Sequence, residues 1–196
     1  MFIAFEGGDG AGKTTQIQLL RDRLVAAGRE VVLTREPGGT PLGQQIREVL
    51  LHGDHVAPRA EALLFAADRA HHVATVVRPA LERGATVLQD RYMDSSIAYQ
   101  GAGRELDPAE IKGLSLWATE ELLPDLTVLL DVTPELGRAR RGEVHDRLEQ
   151  EADDFHARVR EHYLALAADD PGRYLVVDAG LPAQEIAARV AKEVQL

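Results

Sequence analysis

Apolar positions along this chain follow two periods. Short, nearly unbroken apolar runs at residues 1–5, 31–34, 86–90, 126–130 and 174–177 predict five strands. Between them the apolar residues recur at three- and four-residue spacing, as in Ile17, Leu20, Leu24 and Val25, which predicts a helix over 13–27 stopped by Gly28. Further helices are predicted at 41–51, at 58–83 with a kink at Pro79, from Pro108 to before Pro124, at 151–168, and after Pro182. Thr133-Pro134-Glu135 reads as a capped helix start, with the helix running to Gly142. Residues 91–99 read as a loop and short helix, interrupted by Gly101 and Gly103.

Strands alternating with helices predict an α/β domain, a doubly wound parallel sheet of five strands flanked by helices. Ligands of such sheets bind at the strands' carboxyl ends. Residues 6–14, 35–40, 90–99 and 131–133 all fall there, so the pattern converges on one rim.

With 196 residues the chain reads as one domain, 1–196, large enough for a substantial core. It has no apolar run long enough to span a bilayer and no basic stretch before Phe2, so the expectation is a cytoplasmic protein without a membrane partner. The absence of cysteine excludes disulfides, zinc–thiolate sites and cysteine nucleophiles. A formal net charge of −10 argues against nucleic acid as a partner. Against that background Arg138, Arg140, Arg141 and Arg147 cluster, which suggests a local anion site, although a solvated helix end would look the same.

The first strand runs into Gly7-Gly8-Asp9-Gly10-Ala11-Gly12-Lys13-Thr14-Thr15, which fits the phosphate-loop spacing G-x-x-x-x-G-K-[ST]. Glycines let successive N–H groups point at one phosphate chain, and the following helix adds its positive N-terminal end. Lys13 would reach the terminal phosphates and the Thr14 hydroxyl would ligate Mg²⁺, as the motif's mechanics require. Asp90, ending an apolar strand, stands where a carboxylate holds the metal or its waters, and Arg91 offers a planar fork to a second phosphate. A structural Asp–Arg pair is the competing reading. Asp9 would repel phosphate unless it turns to a sugar hydroxyl or a metal-bound water. Phe65 and Arg69, four apart on a helix, share a face suited to a flat polar heterocycle, although a helical Phe is more often core.

These segments together resemble the thymidylate kinase family. The markers span the chain: Phe5-Glu6-Gly7 before the loop, Thr34-Arg35-Glu36-Pro37-Gly38-Gly39-Thr40, Leu64-Phe65-Ala66-Ala67-Asp68-Arg69, Asp90-Arg91-Tyr92, Ser95-Ser96-Ile97-Ala98-Tyr99-Gln100-Gly101, Pro124-Asp125-Leu126-Thr127, Leu130-Asp131-Val132-Thr133-Pro134-Glu135 and Asp146-Arg147-Leu148-Glu149. The resemblance implies a P-loop NTPase fold with a short mobile lid at about 138–150, and transfer of the γ-phosphoryl group of ATP to dTMP with Mg²⁺. It implies that residues 7–15 and Arg141 hold ATP, and that Asp9 meets the dTMP sugar. Phe65 would stack on thymine, Arg69 would bond its carbonyl, and Ser96 and Gln100 would face the base. Tyr99 would crowd the sugar C2′. Arg91 would bind the dTMP phosphate, with Arg35, Glu36 and Arg47 nearby, and Arg147 would act from the lid beside Glu149. Gly10 stands where some members carry an arginine, which points to the lid as the source of catalytic arginine. The resemblance also implies a homodimer through helices. The competing readings are a small P-loop kinase for another acceptor, a GTPase-type switch and a non-catalytic nucleotide sensor. The chain has no Asn-Lys-x-Asp guanine signature, and a sensor need not keep Lys13, Thr14 and Asp90 together.

Overall fold

The computed structural model describes residues 1–140 and 146–195. Strands β1 (Phe2–Glu6), β2 (Val31–Arg35), β3 (Thr86–Asp90), β4 (Leu126–Asp131) and β5 (Tyr174–Asp178) lie parallel in the order β2-β3-β1-β4-β5. Parallel neighbours need long crossovers. Helices supply them: α1 (Lys13–Ala26), α2 (Pro41–Arg47), α3 (Pro58–His72), α4 (Arg78–Glu82), α5 (Met93–Ser96), α6 (Pro108–Thr119), α7 (Pro134–Arg140), α8 (Asp153–Asp169) and α9 (Ala183–Glu193). The chain passes from β3 to β4 across β1, so a crevice opens beside the end of β1. The register pairs both Phe5 and Arg35 with Asp90, which sets these strand ends level along the rim.

Every residue of β1 is buried, as a central strand covered on both faces requires. Successive side chains point to opposite faces. Ile3 and Phe5 therefore join a core with Leu20, Leu24, Leu130 and Val190 under α1 and α9. Phe2 and Ala4 join another with Val73, Val77, Val87 and Tyr92. A third cluster, including Leu50, Phe65, Tyr99, Leu148, Phe155 and Tyr163, lies beneath the crevice.

The predicted helix at 58–83 is present, but its winding changes ahead of Pro79. A π-helical turn, Val73–Val77, separates α3 from α4. Proline lacks an N–H for the preceding turn and its ring crowds the carbonyl four residues back, which the wider turn relieves. Residues Ile97–Gly103, expected to be broken by glycine, also form a π-helical element. Gly103 is there for packing, since a Cβ would sit 2.6 Å from the Phe155 ring. The Thr133 cap is formed, with its hydroxyl accepting from the Leu136 N–H at 3.3 Å. Among the described residues no helix is long and apolar enough to cross a membrane.

Candidate functional site

A cavity of about 700 Å³ opens at the carboxyl ends of the strands. Its floor is the loop between β1 and α1. Gly7 has φ +132°, and a Cβ there would lie 2.4 Å from the Leu130 carbonyl oxygen. Gly10 has φ +79°, and its Cβ would lie 2.4 Å from the Gly137 oxygen. The loop tip is thus packed backbone to backbone against α7, which leaves no room at position 10 for an arginine. Lys13 Nζ rests on the oxygens of Gly7 (3.0 Å) and Gly8 (3.2 Å). Burial, and then the nearby charge of Arg91, push its pKa below the ordinary lysine value.

Arg91 stands across from the loop and takes an uncommon backbone conformation, φ +64°. A left-handed non-glycine residue costs about 1–2 kcal/mol and persists only where its surroundings hold it. Here the Arg91 N–H donates to the Phe5 oxygen (2.9 Å), and the next N–H, of Tyr92, donates to Glu6 Oε1 (2.7 Å). The guanidinium donates to Asp9 (2.5 Å), Ser95 Oγ (3.1 Å) and Tyr99 OH (3.3 Å). Burial alone would raise the Asp9 carboxyl, but Arg91 and Lys13 pull it well below the usual carboxylate range. Glu6 sits beneath this group with no exposure and also accepts from Ser95 Oγ (2.6 Å) and Tyr163 OH (2.9 Å). Burial first, and the charge of Asp94 second, push Glu6 up to about 7.

The far wall is a buried polar chain. Thr34 Oγ1 meets His72 Nε2 at 2.5 Å, His72 Nδ1 meets Glu36 Oε1 at 2.9 Å, and Arg69 Nε donates to Glu36 Oε2 at 2.7 Å. A carboxylate only accepts, so the His72 ring donates to Glu36 from Nδ1. Arg69 further donates to Ser115 Oγ, the Tyr92 oxygen and Ser96 Oγ at 3.0–3.1 Å. Phe65 serves both readings at once, as core under the crevice and as cavity wall.

Of the residues singled out in the sequence, Asp9, Gly10, Ala11, Gly12, Lys13, Thr14, Thr15, Glu36, Arg47, Phe65, Arg69, Asp90, Arg91, Ser96, Tyr99 and Gln100 line this one cavity, as does Arg35. Gly7 and Gly8 lie behind the loop, against β4. Arg141 lies outside the described residues. Arg147 departs from expectation. It is held off the cavity, with Nε on the Leu50 oxygen (2.8 Å) and Nη2 on Glu61 (2.5 Å), because the fully buried Glu61 carboxylate needs counter-charge. Of the described members of the cluster, Arg140 reaches the cavity. Asp90 Oδ1 is buried and has no hydrogen-bond partner among the described residues, in a cavity that Thr14 also lines. An oxygen left over in that place fits Mg²⁺ or one of its waters. Among the described residues no cluster of three or more His, Cys, Asp or Glu could hold a metal by itself, and Mg²⁺ bound through phosphates and water does not need one.

Sequence reasoning missed Glu6, Ser95 and Tyr163 beneath Arg91, Glu61 behind Gln100, and a patch formed by Gln16, Ala179, Leu181, Ala183 and Ile186. Apart from Gln16, on α1, the patch follows β5, so the strand-end rule would have found it had it been applied to the fifth strand.

The family model for thymidylate kinase matches residues 5–190. A thymidylate kinase of Leifsonia xyli subsp. xyli (strain CTCB07) is 66% identical over 195 residues, covering 97% of this chain and 92% of its own. One from Clavibacter sepedonicus is 65% identical over 194 residues, with the same coverage of each chain. One from Bifidobacterium longum (strain NCC 2705) is 54% identical over 200 residues, covering 100% of this chain and 97% of its own. A match across nearly the whole sequence, over a cavity that gathers the loop, Arg91 and the Phe65–Arg69 wall, places this chain in the thymidylate kinase family.

Proposed function

We propose how this chain divides the work of its reaction, transfer of the γ-phosphoryl group of ATP to dTMP to give dTDP and ADP for dTTP synthesis. One observation carries the assignment. The phosphate loop and the Phe65–Arg69–Gln100 wall open into the same cavity, with Asp9 and Arg91 between them. The loop end takes ATP. Backbone N–H groups from 9 to 15 and the N-terminus of α1 face its phosphates. Lys13 exchanges its two carbonyl partners for phosphate oxygens, and Thr14 and Asp90 would hold Mg²⁺ or its waters. The cation would supply positive charge that offsets the donor phosphates there. Arg140, and Arg141 next to it, serve the donor side.

The wall end takes dTMP. Phe65 stacks on the thymine, and Arg69, Ser96 and Gln100 meet its edge. Arg91 binds the acceptor phosphate, with Arg47 and Glu36 at the margin. Tyr99 donates to Asp9 at 3.2 Å, which sets the two together where the sugar lies. The acceptor needs no general base, because a phosphate monoester with a second pKa of about 6 is already a nucleophilic dianion at neutral pH. The protein's task is to align two phosphates, offset their repulsion and exclude water. Arg147, in this arrangement, braces Glu61 rather than the reacting groups.

We further assign a single domain, a cytoplasmic location and a homodimer. Leu63 on α3 (58% exposed), Trp117 on α6 (80%) and Leu123 just beyond it (44%) are large apolar side chains open to solvent, in keeping with a helix-on-helix interface to a second copy. The deciding experiment is a panel of monophosphate acceptors with ATP and Mg²⁺, with products identified. dTDP from dTMP at a rate well above dCMP, dGMP and AMP is expected. ATP hydrolysis independent of dTMP, or a better acceptor in the panel, would overturn the reading.

A further inference from the structure

Gln100 is 1% exposed and lines the cavity beside Phe65 and Arg69. Its amide has two unlike ends of nearly the same shape, an NH₂ that donates and an oxygen that accepts. Whatever stands behind the amide decides which end a ligand meets. Behind it stands Glu61, on the first turn of α3 and without exposure, whose Oε1 accepts from Gln100 Nε2 at 2.8 Å. An ionised carboxylate cannot donate. It therefore takes the NH₂ and leaves the Gln100 oxygen for the cavity. Arg104 donates to both Glu61 oxygens at 3.3 Å, and Arg147 donates to Oε2 at 2.5 Å. Burial would raise the Glu61 carboxyl, but the hydrogen bonds from Gln100, Arg147 and Arg104 bring it below its ordinary value, so it stays charged.

We propose that Glu61 is a specificity-determining positioning residue: by holding the Gln100 NH₂ it fixes the Gln100 oxygen toward the acceptor base, and so selects a base that donates from its ring N3–H. Thymine and uracil carry that N–H. Cytosine presents a lone pair at the same position and meets oxygen with nitrogen, acceptor against acceptor. A site built around one polarity rejects the other because buried polar groups are left unpaired. The inference rests on the reading of the Phe65–Gln100 wall as the acceptor-base site.

The test measures kcat/KM for dTMP, dUMP and dCMP in the wild-type protein and in Glu61→Gln, Gln100→Ala and Arg104→Ala variants. A glutamine at 61 can donate to the Gln100 oxygen, which frees the amide to turn. The preference of Glu61→Gln for dTMP over dCMP should fall by about 10- to 100-fold, with the loss carried by KM for dTMP rather than by kcat. Its dTMP-to-dUMP ratio, which reads only the thymine methyl, should stay as in the wild type. Arg104→Ala keeps the carboxylate and should keep the preference. If Gln100→Ala loses the preference while Glu61→Gln retains it, Glu61 does not set the amide and the inference falls. A proportionate loss of both ratios in Glu61→Gln means general damage to the pocket and also overturns it. If Gln100→Ala itself keeps the preference, the base-site reading fails, and the inference with it. A second readout needs no variant at position 61. The wild-type Gln100 side-chain NH₂ resonances should be protected from solvent exchange with and without dTMP. An NH₂ that exchanges freely, or that becomes the group contacting the base, refutes the assignment.

Discussion

Glu6 offers the sharpest quantitative test, because it is buried under Arg91 and its pKa is displaced in the direction that lowers stability. The value of 4.5 for a free glutamate rises to about 7, chiefly by burial and then by the charge of Asp94. Between those values the folded protein holds a proton that the unfolded chain has released, so stability falls as pH rises through that window. The displacement is about 2.5 units, and at 1.36 kcal/mol per unit it is worth at most about 3 kcal/mol by pH 8. Glu6→Gln keeps the shape of the protonated form and does not titrate. Its oxygen can face the Tyr92 and Ser95 N–H groups, while the Ser95 and Tyr163 hydroxyls turn to accept from its NH₂. Urea unfolding of both proteins at pH 5, 6, 7 and 8 should therefore show the variant gaining on the wild type by up to about 3 kcal/mol across the series. Asp68, pushed up to about 6 by burial and the charge of Glu36, gives a slope of the same sign in both proteins and cancels in the difference. Parallel stability curves would refute the reasoning, since they would mean that Glu6 does not change its charge in that range.

Lys13→Ala should lower turnover by about 10²- to 10³-fold, the typical loss of one preorganised charge-stabilising donor, while calorimetric dTMP affinity stays within a few-fold; lost dTMP binding with intact ATP use would contradict the division of the cavity. Arg69→Ala leaves the Glu36 carboxylate, 4% exposed, without its counter-charge, and should cost about 3–5 kcal/mol in urea unfolding. The same variant should lose its preference for dTMP over dCMP, and an unchanged ratio would remove Arg69 from base recognition. Trp117→Asp should shift sedimentation from dimer toward monomer without changing the far-ultraviolet circular dichroism, and a variant that still sediments as a dimer would move the interface off α6.

The fold was largely legible because its signal is local. Five apolar runs separated by helical spacing predict an α/β sheet without any knowledge of tertiary contacts, and the runs coincide with β1–β5 to within about a residue at each end. The strand order was not legible, since which crossover lies over which face depends on contacts between distant segments. The loop glycines were legible as a motif, but the reason for Gly10 was not: it is the backbone of Gly137, more than a hundred residues away. The least legible residues were acids. Glu6, Glu36 and Glu61 carry the most surface-like side chain in the composition, and no periodicity marks them as buried. His72 carries no local signal of its place in the wall, because its partners, Thr34 and Glu36, are remote in sequence.

Those three glutamates share one arrangement. Each stands against a side chain that faces the cavity and fixes its direction: Glu6 acts on Arg91 through Ser95 and Tyr163, Glu36 acts on Arg69, and Glu61 acts on Gln100. A long polar side chain left free must be ordered when its ligand arrives, at about 0.5–1.5 kcal/mol each. A buried carboxylate moves that ordering into folding. At Glu6, whose carboxyl is pushed up by burial, the desolvated charge also weakens the native state, whereas at Glu61 the hydrogen bonds from Gln100, Arg147 and Arg104 outweigh burial. This is why substitutions beneath Arg91 and behind Arg69 and Gln100 should disturb stability or selectivity out of proportion to their distance from the reacting phosphates.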